Sequence, residues 1–137
     1  MIAQYQISGL MGNQQSKQAY YESARSILET KIKELPEDSR FRSSLGIAYA
    51  GLGRKADAIR EGELATVLLP VTKEAWRGAY RIEDLARIYV MVGEFDKALE
   101  KLEFLLDVPS ELSIPLLRLD PVWDPLRDYP RFKKLVE

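Results

Sequence analysis

Two pairs of acidic residues have a spacing that would suit acid–base catalysis or the binding of a metal ion. The pairs Glu83-Asp84 and Asp120 with Asp124 could act as general acid and base or bind a divalent cation. A structural role explains them more simply. Glu83-Asp84 would begin a solvated helix face, and Asp120 and Asp124 each precede a proline, as an N-cap residue does when proline opens a helix. We therefore predict no catalytic and no metal-binding residue.

The composition narrows the possible chemistry further. The chain has no histidine and no cysteine, which excludes disulfides, Cys/His zinc sites, thiol nucleophiles and histidine general bases. No other nucleophile with a neighbouring base is visible. We expect a non-enzymatic protein without a cofactor, and a small enzyme is the least favoured alternative.

Two basic motifs could suggest phosphate or nucleic-acid binding. GLGRK (51–55) lacks the preceding strand, the full glycine spacing and the Lys-Ser/Thr ending of a phosphate-binding loop, so we predict an inter-helix turn. The basic residues at 40, 42, 54, 55 and 60 are diluted by acidic neighbours, and 20 basic against 21 acidic residues give a net charge of -1. We predict no nucleic-acid partner.

Size and hydropathy indicate an ordinary globular domain. The 137 residues are 46% hydrophobic and 30% charged, which is enough to bury a core. There is no secretory signal pattern and no apolar run near the roughly 20 residues that span a bilayer. We expect a soluble cytoplasmic protein that does not bind membranes.

Apolar residues recur at helical spacing in five segments, each ended by glycine or proline. These segments cover residues 19–35, 39–52, 58–69, 80–92 and 96–106. The stripe in the first segment comprises Ala24, Ile27, Leu28, Ile32 and Leu35.

The later segments form an internal repeat. LGIAYAGLGRKADAIREGELATVLLP (45–70) aligns without gaps with LARIYVMVGEFDKALEKLEFLLDVPS (85–110). The alignment pairs Leu45 with Leu85, Tyr49 with Tyr89, Gly53 with Gly93 and Ala58 with Ala98. Ala24 and Pro36 lie 34 residues before Ala58 and Pro70, the period of a helical hairpin repeat.

The repeated residue types have physical reasons. Small residues such as Gly46 and Ala58 let two antiparallel helices approach closely, and Tyr49 fills the space between them. Gly53 suits a turn that needs left-handed dihedral angles. Pro70 ends the second helix.

These residues resemble tetratricopeptide repeats. The signature positions are occupied by Leu45, Gly46, Tyr49, Gly53, Ala58, Ala65 and Pro70, and again by Leu85, Ala86, Tyr89, Gly93, Ala98, Leu102 and Leu105. The resemblance implies an all-α fold, a solenoid of about three helical hairpins over residues 1–112, closed by a short C-terminal capping segment over 113–137. Its parts are a degraded first unit (1–38), a best-matching unit (39–72), an insertion (73–78) and a last unit (79–112).

Two departures from the pattern need explaining. Gly62 stands where the family usually has a large apolar residue, so packing there should be looser or closer than usual. The last unit arrives about six residues late, after VTKEAWRGAY, which predicts either an extended first helix or a loop with Trp76 beneath it.

A narrower resemblance covers residues from Ser23 onward. This part is similar to the C-terminal repeat region of large multidomain bacterial signalling proteins, in which such arrays follow a nucleotide-cyclase, protein-kinase or winged-helix domain. The resemblance implies a regulatory module whose missing part lies before Met1. The partner would be a protein, a peptide or the domain fused upstream.

Hairpin geometry predicts a binding surface on the concave face built by successive first helices. Its residues would be Arg40, Ser43, Ser44, Ile47, Tyr80, Glu83 and Arg87. They do not reproduce the Lys, Asn and Arg set with which some family members grip C-terminal carboxylates, so we reject that partner class. A plain solvated surface and homodimerisation through an uncovered end remain alternatives.

The closing segment LRLDPVWDPLRDYPRFKKLVE is too aromatic for a disordered tail. We predict a lid on the last hairpin, with Ser113 capping a short helix and Trp123 as the anchor. Pro130 would open a last helix with Phe132, Leu135 and Val136 facing inward.

Overall fold

The structure, a computed structural model, describes residues 9–137, with side chains from residue 14 onward. All regular elements in this range are helical, so the predicted all-α class is confirmed for it. The helices are α1 (Gly9–Glu34), α2 (Ser39–Gly51), α3 (Lys55–Leu68), α4 (Ala75–Met91), α5 (Phe95–Leu106), α6 (Ile114–Leu119), a 3₁₀ helix (Pro121–Leu126) and α7 (Pro130–Leu135). None of the helices within this range is both long and apolar enough to cross a lipid bilayer.

Helices that are neighbours in sequence are neighbours in space. The pairs α2 with α3 and α4 with α5 pack together, α1 lies on α2, and α4 contacts both α2 and α3. The two tight turns contain Gly53 at φ 77° and Gly93 at φ 86°, with open space where a Cβ would be. The left-handed backbone, rather than crowding, is therefore what requires glycine there.

The core consists of two clusters. The first is centred on Leu45, Tyr49, Ala50, Ala58 and Ile88, and joins α2, α3 and α4. The second joins α4 and α5 to the closing segment and includes Leu85, Ala86, Leu99, Leu102, Leu105, Leu117, Trp123, Leu126 and Phe132. Trp123 is only 1% exposed, so the closing segment is docked rather than frayed.

The hairpin predicted for residues 1–38 is wrong for the part that the structure describes. Residues Gly9–Glu34 form one uninterrupted helix of 26 residues. No glycine or proline lies between Asn13 and Glu34 to break it. Residues 1–8 of that unit lie outside the described range.

Two residues of the apolar stripe predicted over residues 19–35 are exposed, and the other three are only partly buried. Ile27 is 61% exposed and Leu35 is 51% exposed. The only helix that packs extensively on α1 among the described residues is α2, and it covers one side. The stripe is therefore buried only where α2 meets it.

The insertion at 73–78 extends a helix rather than forming a loop. α4 begins at Ala75, and Trp76 on its first turn is about half exposed instead of lying beneath the chain. Gly78 lets α4 approach the preceding connection, because a Cβ there would lie 2.7 Å from the backbone nitrogen of Val71.

The closing segment is capped at two of the three predicted positions. Ser113 accepts a hydrogen bond from the Leu116 amide and caps α6, and Asp120 accepts one from the Val122 amide and caps the 3₁₀ helix. The N-cap prediction for Asp124 is wrong, because the 3₁₀ helix continues through it and through Pro125. Its carboxylate lies 2.7 Å from Arg127 Nε instead.

Candidate functional site

The predicted binding residues do not all reach the surface. Ser43 is 1% exposed and Glu83 is 6% exposed, which corrects their placement on an open face. Adjacent residues of a helix point about 100° apart, so Ser43 turns inward toward Asp84 of α4 while Ser44 stays exposed.

A recess that we call the arginine cleft lies where the start of α2, the end of α3 and the start of α4 meet. It has a volume of about 610 Å³ and is open to solvent. Its lining residues are Glu37, Asp38, Ser39, Arg40, Leu68, Leu69, Arg77, Tyr80 and Arg81. Two residues predicted for binding, Arg40 and Tyr80, are among them.

The three arginines of this cleft differ in how they are paired. Arg40 is held by Asp38, with Nη2 2.8 Å from Oδ2 and Nε 3.1 Å from Oδ1. Asp38 also caps α2 through the Arg40 amide, and hydrogen bonds from Arg40 lower the pKa of that carboxyl group. Arg77 is exposed and forms no ion pair with the described residues.

Arg81 is the least satisfied of the three. Its Nη2 lies 3.4 Å from Asp84 Oδ2, and its buried Nε has no hydrogen-bond partner among the described residues. Burial raises the pKa of Asp84, although Arg81 and the nearby Ser43 hydroxyl act in the opposite direction. The Ser43 hydroxyl itself forms no hydrogen bond of ordinary geometry with any residue from 9 to 137.

A second recess, which we call the tyrosine groove, lies between α1 and α2. It has a volume of about 200 Å³ and mainly apolar walls. Its lining residues are Tyr20, Tyr21, Ala24, Leu28, Ser44, Ile47 and Ala48. The rings of Tyr20 and Tyr21 meet edge to face, with centroids 5.5 Å apart.

One stripe of α2 connects the two recesses. Arg40 lines the arginine cleft, whereas Ser44 and Ile47 line the tyrosine groove. Spacings of four and seven residues put all three on one helix face, over about 10 Å of helix length. A single extended ligand could therefore contact both recesses.

Arg87 has a different role from the one predicted. Its Nη2 lies 3.4 Å from Glu83 Oε2 and 3.6 Å from Asp120 Oδ2, and its guanidinium carbon lies 5.8 Å from the centre of the Trp123 ring. Burial, and then the nearby Glu111 carboxylate, raise the pKa of Glu83 to about 7. Arg87 thus links α4 to the closing segment.

Sequence reasoning missed two parts of the site. Arg77 and Arg81 were absent from the predicted surface, although VTKEAWRGAYR carries a basic residue on each side of Gly78. Tyr20 and Tyr21 were also missed: they lie inside the helix predicted over residues 19–35, but the apolar stripe predicted for that helix began only at Ala24.

The arrangement is suited to binding through charge and apolar contact. Within the described residues, no group of three or more acidic side chains is arranged to bind a metal ion.

Comparisons with protein-family models, curated proteins and solved structures gave no match. The functional proposal therefore rests on the geometry of the site and on the repeat pattern.

Proposed function

We propose that this chain is a non-enzymatic protein-interaction module of tetratricopeptide-like helical hairpins. The observation that carries the proposal is the α2 stripe, which runs from a basic cleft to an apolar groove. Peptide ligands present charged and apolar groups within a few residues of each other, as this surface requires.

The packing order supports the same proposal. Each tight turn joins two helices that contact each other, and the next helix packs on the pair, as in arrays whose units contact only their neighbours. The regulatory role in a bacterial cytoplasmic signalling protein, with a cyclase, kinase or winged-helix domain as the regulated partner, belongs to this proposal and follows from the sequence resemblance.

Selection from a peptide display library, followed by chemical-shift mapping on the full chain, tests the proposal. We expect enriched peptides to shift the amide signals of α2 and of the helices that line the two recesses. Ser44→Trp places a large side chain over the tyrosine groove and should abolish binding.

Ser26→Trp is the matched control. Ser26 is exposed on α1 and does not line the groove, so this variant should bind like the unmodified chain. If no peptide is enriched, or if enriched peptides bind equally to Ser44→Trp, the proposal is wrong.

A second candidate function is self-association through α1. Tyr20 is 69% exposed, and Ile27, seven residues later on the same helix face, is 61% exposed. A second copy could cover this apolar stripe. Analytical ultracentrifugation should then show a dimer that Ile27→Glu dissociates, whereas a monomer at the highest soluble concentration would eliminate this function.

A further inference from the structure

We propose that the arginine cleft binds an acidic segment of a partner protein in extended conformation, with two carboxylates separated by one residue. This inference deepens the proposed function and rests on it. The inference states which kind of ligand the arginine cleft binds. The insertion at 73–78 helps to build this cleft, because it supplies Arg77 on the first turns of α4.

The charges of the cleft favour an anionic ligand. Its lining contains three guanidinium groups and two carboxylates. The Asp38 carboxylate is already occupied by Arg40, and Glu37 is an exposed side chain at the edge. Arg77 is therefore available for a ligand. Arg81 contacts Asp84 through Nη2 at 3.4 Å and its Nε is buried, so its Nη1 is the group left for a ligand.

The spacing of the two available arginines selects the peptide pattern. Arg77 and Arg81 lie four residues apart on one face of α4, which corresponds to about 6 Å along the helix axis. In an extended chain, residues i and i+2 point to the same side and lie roughly 6.6 Å apart. An acidic-x-acidic sequence therefore presents its carboxylates at the spacing of the two guanidinium groups.

The remaining walls suit apolar side chains beside the two acids. Leu68 and Leu69 end α3 inside the cleft and are only partly buried. Tyr80 also lines the cleft and meets Trp76 edge to face at 6.0 Å between ring centroids. A small inorganic anion would leave these walls uncovered, whereas a peptide with leucines beside the acids would cover them.

Fluorescence polarisation with the full chain tests the proposal. The probe is a fluorescein-labelled peptide, Gly-Leu-Glu-Ala-Glu-Leu-Gly, measured at low and at physiological salt. We expect saturable binding that weakens as salt rises. Arg77→Gln should weaken it about tenfold, which corresponds to roughly 1.4 kcal/mol, and leave the thermal midpoint unchanged because Arg77 forms no ion pair with the described residues.

Lys133→Gln is the control for loss of one positive charge, since Lys133 is exposed on α7 outside the cleft. This variant should bind the probe within twofold of the unmodified chain. Replacing both glutamates of the probe by glutamine, or making them adjacent, should weaken binding to the unmodified chain about tenfold. Equal affinity for either altered probe overturns the proposal.

Inorganic phosphate separates a peptide site from a general anion site. We expect phosphate to displace the probe only at concentrations far above those at which unlabelled peptide does so. Displacement by both at the same concentration would overturn the proposal in favour of a small-anion site.

The outcomes also separate this inference from the proposed function. A peptide from the display library that loses affinity for Ser44→Trp but binds Arg77→Gln unchanged would leave the interaction module standing and refute the arginine cleft as its acidic-peptide site. Failure to enrich any peptide would refute the interaction module itself.

Discussion

The two hairpins of this protein share one framework but have different interiors. Tyr49 and Tyr89 fill equivalent positions, and each hydroxyl donates to a glutamate of the preceding helix, at 3.2 Å to Glu29 and 3.5 Å to Glu63. Between α2 and α3 lies a largely buried ion pair, Arg42 with Glu61, at 3.0 Å. At the equivalent positions of α4 and α5 stand Ile82, which packs against the second core cluster, and Lys101, which cannot form an ion pair with it.

The difference follows from what packs on each hairpin. Gly62 of α3 and Leu102 of α5 occupy equivalent repeat positions. A Cβ on Gly62 would lie 2.7 Å from Ile88 Cδ1, because α4 approaches closely there. Leu102 belongs instead to the cluster of Trp123. The neighbouring element, rather than the repeat pattern, therefore determines the side-chain volume at this position.

The largest expected effect concerns the second hairpin. Trp123→Ala should lower the free energy of unfolding by about 3–5 kcal/mol, because it removes a large buried aromatic side chain between α4 and the closing segment. Denaturant melts measure this change. Trp76→Ala is the control and should cost less, since Trp76 is 47% exposed. A loss under about 0.5 kcal/mol for Trp123→Ala would show that the closing segment does not stabilise the hairpin.

The first hairpin should depend on its ion pair. Glu61→Ala leaves Arg42 largely buried without its carboxylate, and we expect a loss of about 3 kcal/mol. Arg42→Ala combined with Glu61→Ala should cost less than the sum of the two single changes, because the double variant leaves neither charge unpaired. Additive costs in denaturant melts would show that the pair is not coupled.

The second hairpin should lose stability as the pH rises through neutrality. Glu83 has a pKa of about 7 in the folded chain and ~4.3 when unfolded. Between these pH values the folded state therefore binds more protons than the unfolded state. The stabilisation that protonated Glu83 contributes is complete below the lower pKa and is lost above the higher one. At about 1.4 kcal/mol per pKa unit the full difference is worth about 4 kcal/mol, and solvent screening of the carboxylate reduces it, so we expect a decrease on the order of 2 kcal/mol over this range. Thermal melts of Glu83→Gln should show a flatter pH profile, and an unchanged profile would contradict the assignment.

The smallest expected loss in the free energy of unfolding comes from replacing glycines where α2, α3 and α4 meet. A Cβ on Gly46 would lie 2.7 Å from Ile88 Cδ1 and 3.0 Å from the carbonyl oxygen of Ala58. Overpacking costs about 1–3 kcal/mol, whereas alanine gains roughly 1 kcal/mol in helix propensity, so Gly46→Ala should cost about 1 kcal/mol net. Gly62→Ala should cost less, since its nearest atoms are side-chain ends that can move. Denaturant melts that reverse this order would refute the packing explanation.

The helices from residue 39 to 106 were largely predictable because their apolar spacing, glycines and prolines are local signals. The start of α4 and the first part of α1, residues 9–18, were not, since residues 9–18 carry little apolar periodicity. Of the residues that the sequence predicted for a concave binding face, Arg40, Ser44, Ile47 and Tyr80 line the two recesses in the structure. Ser43 and Glu83 were misplaced because a one-residue shift on a helix turns a side chain by about 100°.

The sequence alone determined the all-α class, the two glycine turns and the absence of histidine and cysteine chemistry, because each depends on residue type or on neighbours within a few positions. Tertiary structure decided the rest. The close approach at Gly62, the link from Arg87 to the closing segment and the arginine cleft each join residues that are distant in the chain. Such contacts depend on how helices pack, which local spacing does not specify.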